Sequence, residues 1–117
     1  MRKISRLAAL AFINERKFSR DNTKVRSFPT IGGNMTELYL HGNIIARKRG
    51  GKIHLTLAGW GTPTTRERLN TLLHELNSSI RFCQHKHEQF AWDKEGNCEP
   101  INSSSWYLLE GMGLSEL

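Results

Sequence analysis

The stretch LYLHGNIIARKRGGKIHLTLA, residues 38–58, constrains the fold more than any other part of the chain. Leu38 and Leu40 alternate with Glu37, Tyr39 and His41, the period-two pattern of a strand with one buried face. Gly42-Asn43 follows as a two-residue hairpin signal, because a primed turn needs positive φ at one or both central positions. Ile44 to Lys48 returns as a second strand, and Gly50-Gly51 turns the chain again. Lys52 to Ala58 then sets Ile53, Leu55 and Leu57 on one side, with His54 and Thr56 on the other. Strands joined this tightly form a three-stranded antiparallel meander. Its apolar face requires a second layer.

Two helices are predicted to supply that layer. Over residues 3–14, Ile4, Leu7, Ala8, Ala11 and Phe12 recur at i, i+3, i+4, i+7 and i+8, one apolar stripe. Arg2, Lys3, Arg6 and Arg16 lie off that stripe or at its ends, which leaves the exposed side basic. After the meander, Gly59-Trp60-Gly61 ends the sheet and Pro63 breaks it. Thr64-Thr65-Arg66-Glu67 fits a capping box, and Leu69, Leu72, Leu73 and Leu76 form the seam of the helix it starts. Between the first helix and the meander, Thr23 to Phe28 reads as extended, and Pro29 with Gly32-Gly33-Asn34 as a loop. Beyond Ser79, Ile80 to His85 alternates as a strand and Glu88 to Asp93 as its partner. Residues 98–105 read as irregular, and Ser105 to Leu109 as either a final edge strand or a short docking segment. The expectation is one small α+β domain over residues 1–110, an antiparallel meander packed by two helices with further C-terminal strands, and a frayed tail over 111–117.

Charge is distributed unevenly. Residues 1–26 hold eight basic groups (Arg2, Lys3, Arg6, Arg16, Lys17, Arg20, Lys24 and Arg26) against Glu15 and Asp21, a balance of +6. The remaining residues hold nine of each sign, so the whole formal charge of +6 sits at one end. Such asymmetry fits a polyanionic partner, with nucleic acid first and an acidic protein face second; a solvated helix face is the plainer reading. A second basic cluster, Arg47, Lys48, Arg49 and Lys52, brackets the Gly50-Gly51 turn, where a two-stranded tip could grip phosphates. Cations at a hairpin tip also guard against edge pairing. Tyr39, Trp60 and Trp106 are candidate stacking rings.

Chemistry-bearing constellations are sparse. Cys83, His85 and His87 place a thiol and two imidazoles on alternate positions with Cys98 further on, yet without the C-x₂₋₄-C or H-x₃₋₅-H spacing of structural zinc. They read as face residues of an exposed strand, and the cysteines as thiols. Ser103, Ser104 and Ser105 sit in no nucleophile elbow, and the glycine pairs lack the Lys-Ser/Thr of a phosphate loop. His41, beside Tyr39 and Asn43, is the best acid–base candidate, and a ring bonded to a turn carbonyl is the reading preferred for it. The chain is read as a non-enzyme without catalytic residues, metal or cofactor. Tyr39, His41, Asn43, Trp60, Arg68 and Asn70 are candidate contacts to a partner, although Trp60 reads first as a plug between sheet and second helix. No apolar run reaches the roughly 20 residues of a membrane helix. The N-terminus reads as a structural helix rather than a signal peptide, because Asn14 and Glu15 interrupt its periodic apolar residues.

The sequence resembles a family of short, uncharacterised proteins of tailed phages and prophages. The resemblance rests on Asn22-Thr23-Lys24-Val25 for an "NT.V" strand, and on Leu38 to Ala46 for "LYLHGN.IA". It also rests on Ala58-Gly59-Trp60 with Thr62, Thr64, Thr65 and Arg68-Leu69-Asn70 for "AGW.T.TT..RLN". It spans residues 3–95, implies a phage origin and a compact α+β domain, and implies no activity; the expected location is the host cytoplasm. Past the second helix the chain departs from the pattern, and the resemblance treats residues 97–117 as an addition outside any family-wide role. Two functions are expected: a phage accessory protein binding nucleic acid non-specifically through Arg2, Lys3, Arg6, Arg16 and Lys17 and the Arg47–Lys52 hairpin, or a protein that binds and modulates a bacterial host protein.

Overall fold

The structure, a computed structural model, describes residues 2–111 and 113–117. Helix α1 (Lys3–Ile13) precedes strands β1 (Phe18–Arg20), β2 (Thr23–Thr30), β3 (Gly33–Leu40), β4 (Asn43–Arg49) and β5 (Lys52–Leu55). Helix α2 (Pro63–Glu75) then leads to β6 (Arg81–His85), β7 (Glu88–Trp92), β8 (Cys98–Pro100), β9 (Tyr107–Glu110) and β10 (Gly113–Glu116). The strands form a seven-stranded antiparallel sheet, β1-β2-β3-β4-β5-β9-β10, and a separate three-stranded one, β6-β7-β8. The α+β class and the placement of both helices match the sequence expectation.

The meander is longer than its turn signals indicate. Residues 29–34 form no loop: β2 runs through Pro29 to Thr30, the chain turns at Ile31-Gly32, and β3 starts at Gly33. Proline is tolerated there because β1 pairs with β2 only as far as Val25, so β2 is an edge beyond it. The next turn is His41-Gly42, with φ of 50° and 80°, one residue earlier than Gly42-Asn43; Asn43 opens β4. At the C-terminal end, β9 is not an edge but lies between β5 and β10. The expected frayed tail contains β10, whose Leu114 pairs with Leu109; Met112 lies outside the described residues.

The register divides the large sheet into two faces. Thr23 and Val25, Thr36, Leu38 and Leu40, Ala46, Leu55 and Tyr107 point to one side and are buried. Both helices and the small sheet pack on that side, where Phe12, Leu69, Leu72, Leu73, Ile80 and Phe82 complete a single core. Each fully buried leucine of the α2 seam contributes about 2 kcal/mol. The opposite face is left open.

Two local details differ from expectation. The buried face of α1 is Ser5, Ala8, Ala9 and Phe12, rotated from the predicted stripe, and Leu7 is 36% exposed. Small side chains let α1 approach α2 closely, and Ser5 meets Arg68 and Glu67 there. Helix α2 starts earlier than the Thr64–Glu67 box: the Thr62 hydroxyl accepts the Thr65 N–H at 3.2 Å and Pro63 occupies the first turn. Pro63 continues no strand and opens the helix; it lacks an N–H where the helix needs none and its ring fixes a φ suited to the first turn. Glu67 is thereby released from capping. Its carboxylate accepts from Ser5, from Arg68 at 2.5 Å and from Thr71 at 2.9 Å.

Candidate functional site

The open face of the large sheet is built by alternate residues of its strands. Arg26, Glu37, Arg47, His54, Leu108 and Ser115 are cross-strand neighbours in one row from β2 to β10. A flanking row joins Phe28, Met35, Arg49 and Lys52, and another joins Lys24 and Tyr39. Five cations, Lys24, Arg26, Arg47, Arg49 and Lys52, thus share this face with the carboxylates Glu37 and Glu110.

A continuous network fixes the middle of the face. Arg26 Nη1 donates to the Tyr39 hydroxyl at 3.3 Å, which donates to Glu37 Oε1 at 2.8 Å. Arg47 Nε lies 3.7 Å from Glu37 Oε2, and its guanidinium carbon sits 4.9 Å from the centroid of the Trp106 ring. Arg26 likewise lies over Phe28, at 5.0 Å. Glu37 is buried at the centre, so its charge is covered by its neighbours. Burial and the adjacent Glu37 carboxylate push the Tyr39 hydroxyl pKa up, keeping it a proton donor. Burial, then Arg47 and Lys52, hold the His54 pKa below the usual imidazole value. This histidine is a neutral group amid cations.

The predicted basic residues do not gather on one surface. Arg2, Lys3 and Arg6 belong to the start of α1, on the helix-covered side of the sheet; Arg6 Nε lies 3.5 Å from Glu75. Lys48 also faces that side. Its Nζ donates to the Ile13 carbonyl at 3.0 Å and lies 3.5 Å from Glu15, so it closes the end of α1. A hydrogen bond from Asn34, then the Lys48 charge, keeps the Glu15 carboxyl below its ordinary pKa. Arg16 and Lys17 are exposed between α1 and β1, and Lys17 lines a shallow groove with Lys24, Arg26 and Phe28. From the hairpin only Arg47, Arg49 and Lys52 reach the open face. Lys24, Arg26 and Phe28, which join them, were legible in the alternation of β2 with Thr23, Val25 and Ser27.

The proposed partner contacts also separate. Tyr39 belongs to the open-face network. His41, Asn43 and Trp60 converge instead on a cleft of about 410 Å³ between the β3–β4 turn and the start of α2. Trp60 is no plug: it is 59% exposed. His41 meets a side chain rather than a turn carbonyl, its Nε2 lying 3.4 Å from Asn22 Nδ2. Arg68 is buried and donates to Thr23 Oγ1 at 3.0 Å, Ser5 Oγ at 2.8 Å and Glu67. Asn70 pairs with the Phe82 backbone, donating to its carbonyl at 2.9 Å and accepting its N–H at 2.7 Å. Both therefore tie elements together, Arg68 in the interior and Asn70 half-buried. Cys83 and Cys98 are free thiols on neighbouring parts of the small sheet, and no three metal-ligating side chains cluster among the described residues.

The model of the Kyanoviridae Gp96 protein family matches residues 1–112. The chain belongs to that phage protein family. No curated protein and no solved structure is significantly similar to it. The match takes in most of residues 97–117, so this stretch is not an addition to the family pattern. The fold agrees, because β9 completes the pairing of β5 and brings Trp106 beneath Arg47. No helix among the described residues is long and apolar enough to cross a membrane.

Proposed function

We propose that this phage protein binds nucleic acid without sequence preference on the open face of its large sheet, within the host cytoplasm. The observation that carries the reading is the interleaving of Lys24, Arg26, Arg47, Arg49 and Lys52 with the rings of Phe28, Tyr39 and Trp106. Cations along a face supply affinity by releasing phosphate counterions, and rings or guanidinium planes accept stacked bases whatever their identity. The reading uses the basic hairpin but not α1, which lies on the other side. It is tested by fluorescence anisotropy with single- and double-stranded DNA and RNA at rising salt. Affinity is expected to fall steeply with salt, and absence of any binding near about 50 mM salt abandons the reading.

A second reading, binding and modulation of a host protein, is favoured by α1. It exposes Leu7 beside Lys3 and Arg6, a basic surface with an apolar centre that would suit an acidic protein. Pull-down from host lysate with Arg2, Lys3 and Arg6 changed to glutamate tests it. Unchanged recovery of a partner excludes this face.

A further inference from the structure

We propose that the cleft beside Trp60 is a separate site for a nucleobase, stacked on the indole and recognised along its polar edge. The cleft has a floor of Leu40, Ile45 and Leu57 and a wall made by Trp60. Its volume of about 410 Å³ lies within the range of roughly 300–1,000 Å³ typical of ligand sites.

The indole is held outward by a rigid turn. The Trp60 N–H closes on the Leu57 carbonyl at 2.8 Å, the Ala58 N–H on Thr56 Oγ1 at 3.0 Å and the Gly59 N–H on the Ser103 carbonyl at 2.8 Å. Ala58, with φ of 54°, and His41, with φ of 50°, both adopt the left-handed conformation that non-glycine residues rarely take. Five other non-glycine residues among those described share this conformation elsewhere in the fold; here it shapes the two turns that place His41 and Trp60 at the cleft.

The chemistry of the lining selects the ligand. None of the lining residues is Lys, Arg, Asp or Glu, so a phosphate or carboxylate would find no counter-charge inside. The rim carries the Asn43 amide, the His41 ring and the Thr62 and Thr64 hydroxyls, a mixed set of donors and acceptors. An aromatic side chain of a protein partner brings at most one polar group and would leave most of that rim desolvated and unpaired. A base brings a flat ring for the indole and several donors and acceptors along one edge. The cleft lies on the helix side of the sheet, so this inference does not rest on the open-face reading.

The test follows the Trp60 indole N–H and the Asn43 amide by NMR during titration with adenosine, guanosine, cytidine, uridine and N-acetyltryptophanamide. At least one nucleoside should give saturable shifts at millimolar concentration that persist in high salt. Trp60→Ala should weaken that binding about tenfold or more. Trp60 is exposed, so this variant should fold, and Asn43→Leu provides a second removal from the rim. A trinucleotide that binds more tightly than its nucleoside identifies the ligand as a base within a strand; equal binding identifies a free nucleoside. The inference is overturned if no nucleoside gives saturable shifts up to about 10 mM, or if N-acetyltryptophanamide binds more tightly than every nucleoside.

Discussion

Arg68→Met should destabilise the protein severely while leaving its surface unchanged. The Arg68 side chain is 2% exposed and bonds three groups from three elements: Ser5 of α1, Thr23 of β2 and Glu67 of α2 itself. Methionine fills much of the volume but takes one donor from each of two buried hydroxyls and from a carboxylate, which keeps those of Ser5 and Thr71. Losing one partner of a buried pair costs about 3–5 kcal/mol, and an unsatisfied hydroxyl about 1–3 kcal/mol. Glu67 is 28% exposed and can recover some hydration, so the lower end, about 3 kcal/mol, is the expected loss. For a domain of this size that lowers Tm by about 10 °C. Arg68→Lys should recover little, because one ammonium cannot reach all three acceptors from a single point. Urea melts across pH add a second readout. Burial pushes the Glu67 pKa up, but bonds from Ser5, Thr71 and Arg68 outweigh it and leave the pKa lowered. A lowered carboxylate stabilises the fold above its unfolded pKa, and that contribution disappears as pH falls through the folded pKa. The penalty of Arg68→Met should therefore shrink below about pH 4. A loss under about 1 kcal/mol at neutral pH would refute the clamp.

Three further outcomes are expected. Asn70→Ala removes both bonds to the Phe82 backbone and should cost about 1–3 kcal/mol in urea melts, with hydrogen exchange at Phe82 rising first. His54 has a lowered folded pKa, so stability should fall as pH drops below its unfolded value near about 6.5 and level off below the folded pKa; His54→Gln should remove that step. If a polyanion covers the open face, the His54 pKa should rise on binding, as NMR titration would show. Changing Arg49 and Lys52 to glutamine should flatten the slope of log affinity against log salt by about one to two units without changing sequence preference.

The strands and helices were readable because their signals are local. Alternation of Leu38 and Leu40 with polar neighbours, paired turn residues and the Leu69–Leu76 seam each act within a few residues. What escaped was set by distant partners. Leu109 is internal because Ile53, far back in the sequence, lies beside it. The side that each cation takes was hidden in the same way. Arg68 carries the same formal charge as Arg49, yet one is enclosed by hydroxyls and a carboxylate while the other is exposed. Lys48 and Arg49 are adjacent in sequence but point to opposite sides of the sheet, since strand neighbours always do.

The pairing of β5 with β9 bears on how the chain matures. The first five strands need only neighbouring residues to assemble, whereas β5 must wait for residues 107–109 to acquire its second neighbour. During synthesis, the half-finished sheet therefore exposes a row of unpaired amides and carbonyls along Lys52–Leu55, a template for sticking to another nascent copy. The cationic tip beside it, Arg49 and Lys52, would keep two such copies apart by mutual repulsion until the last hairpin arrives.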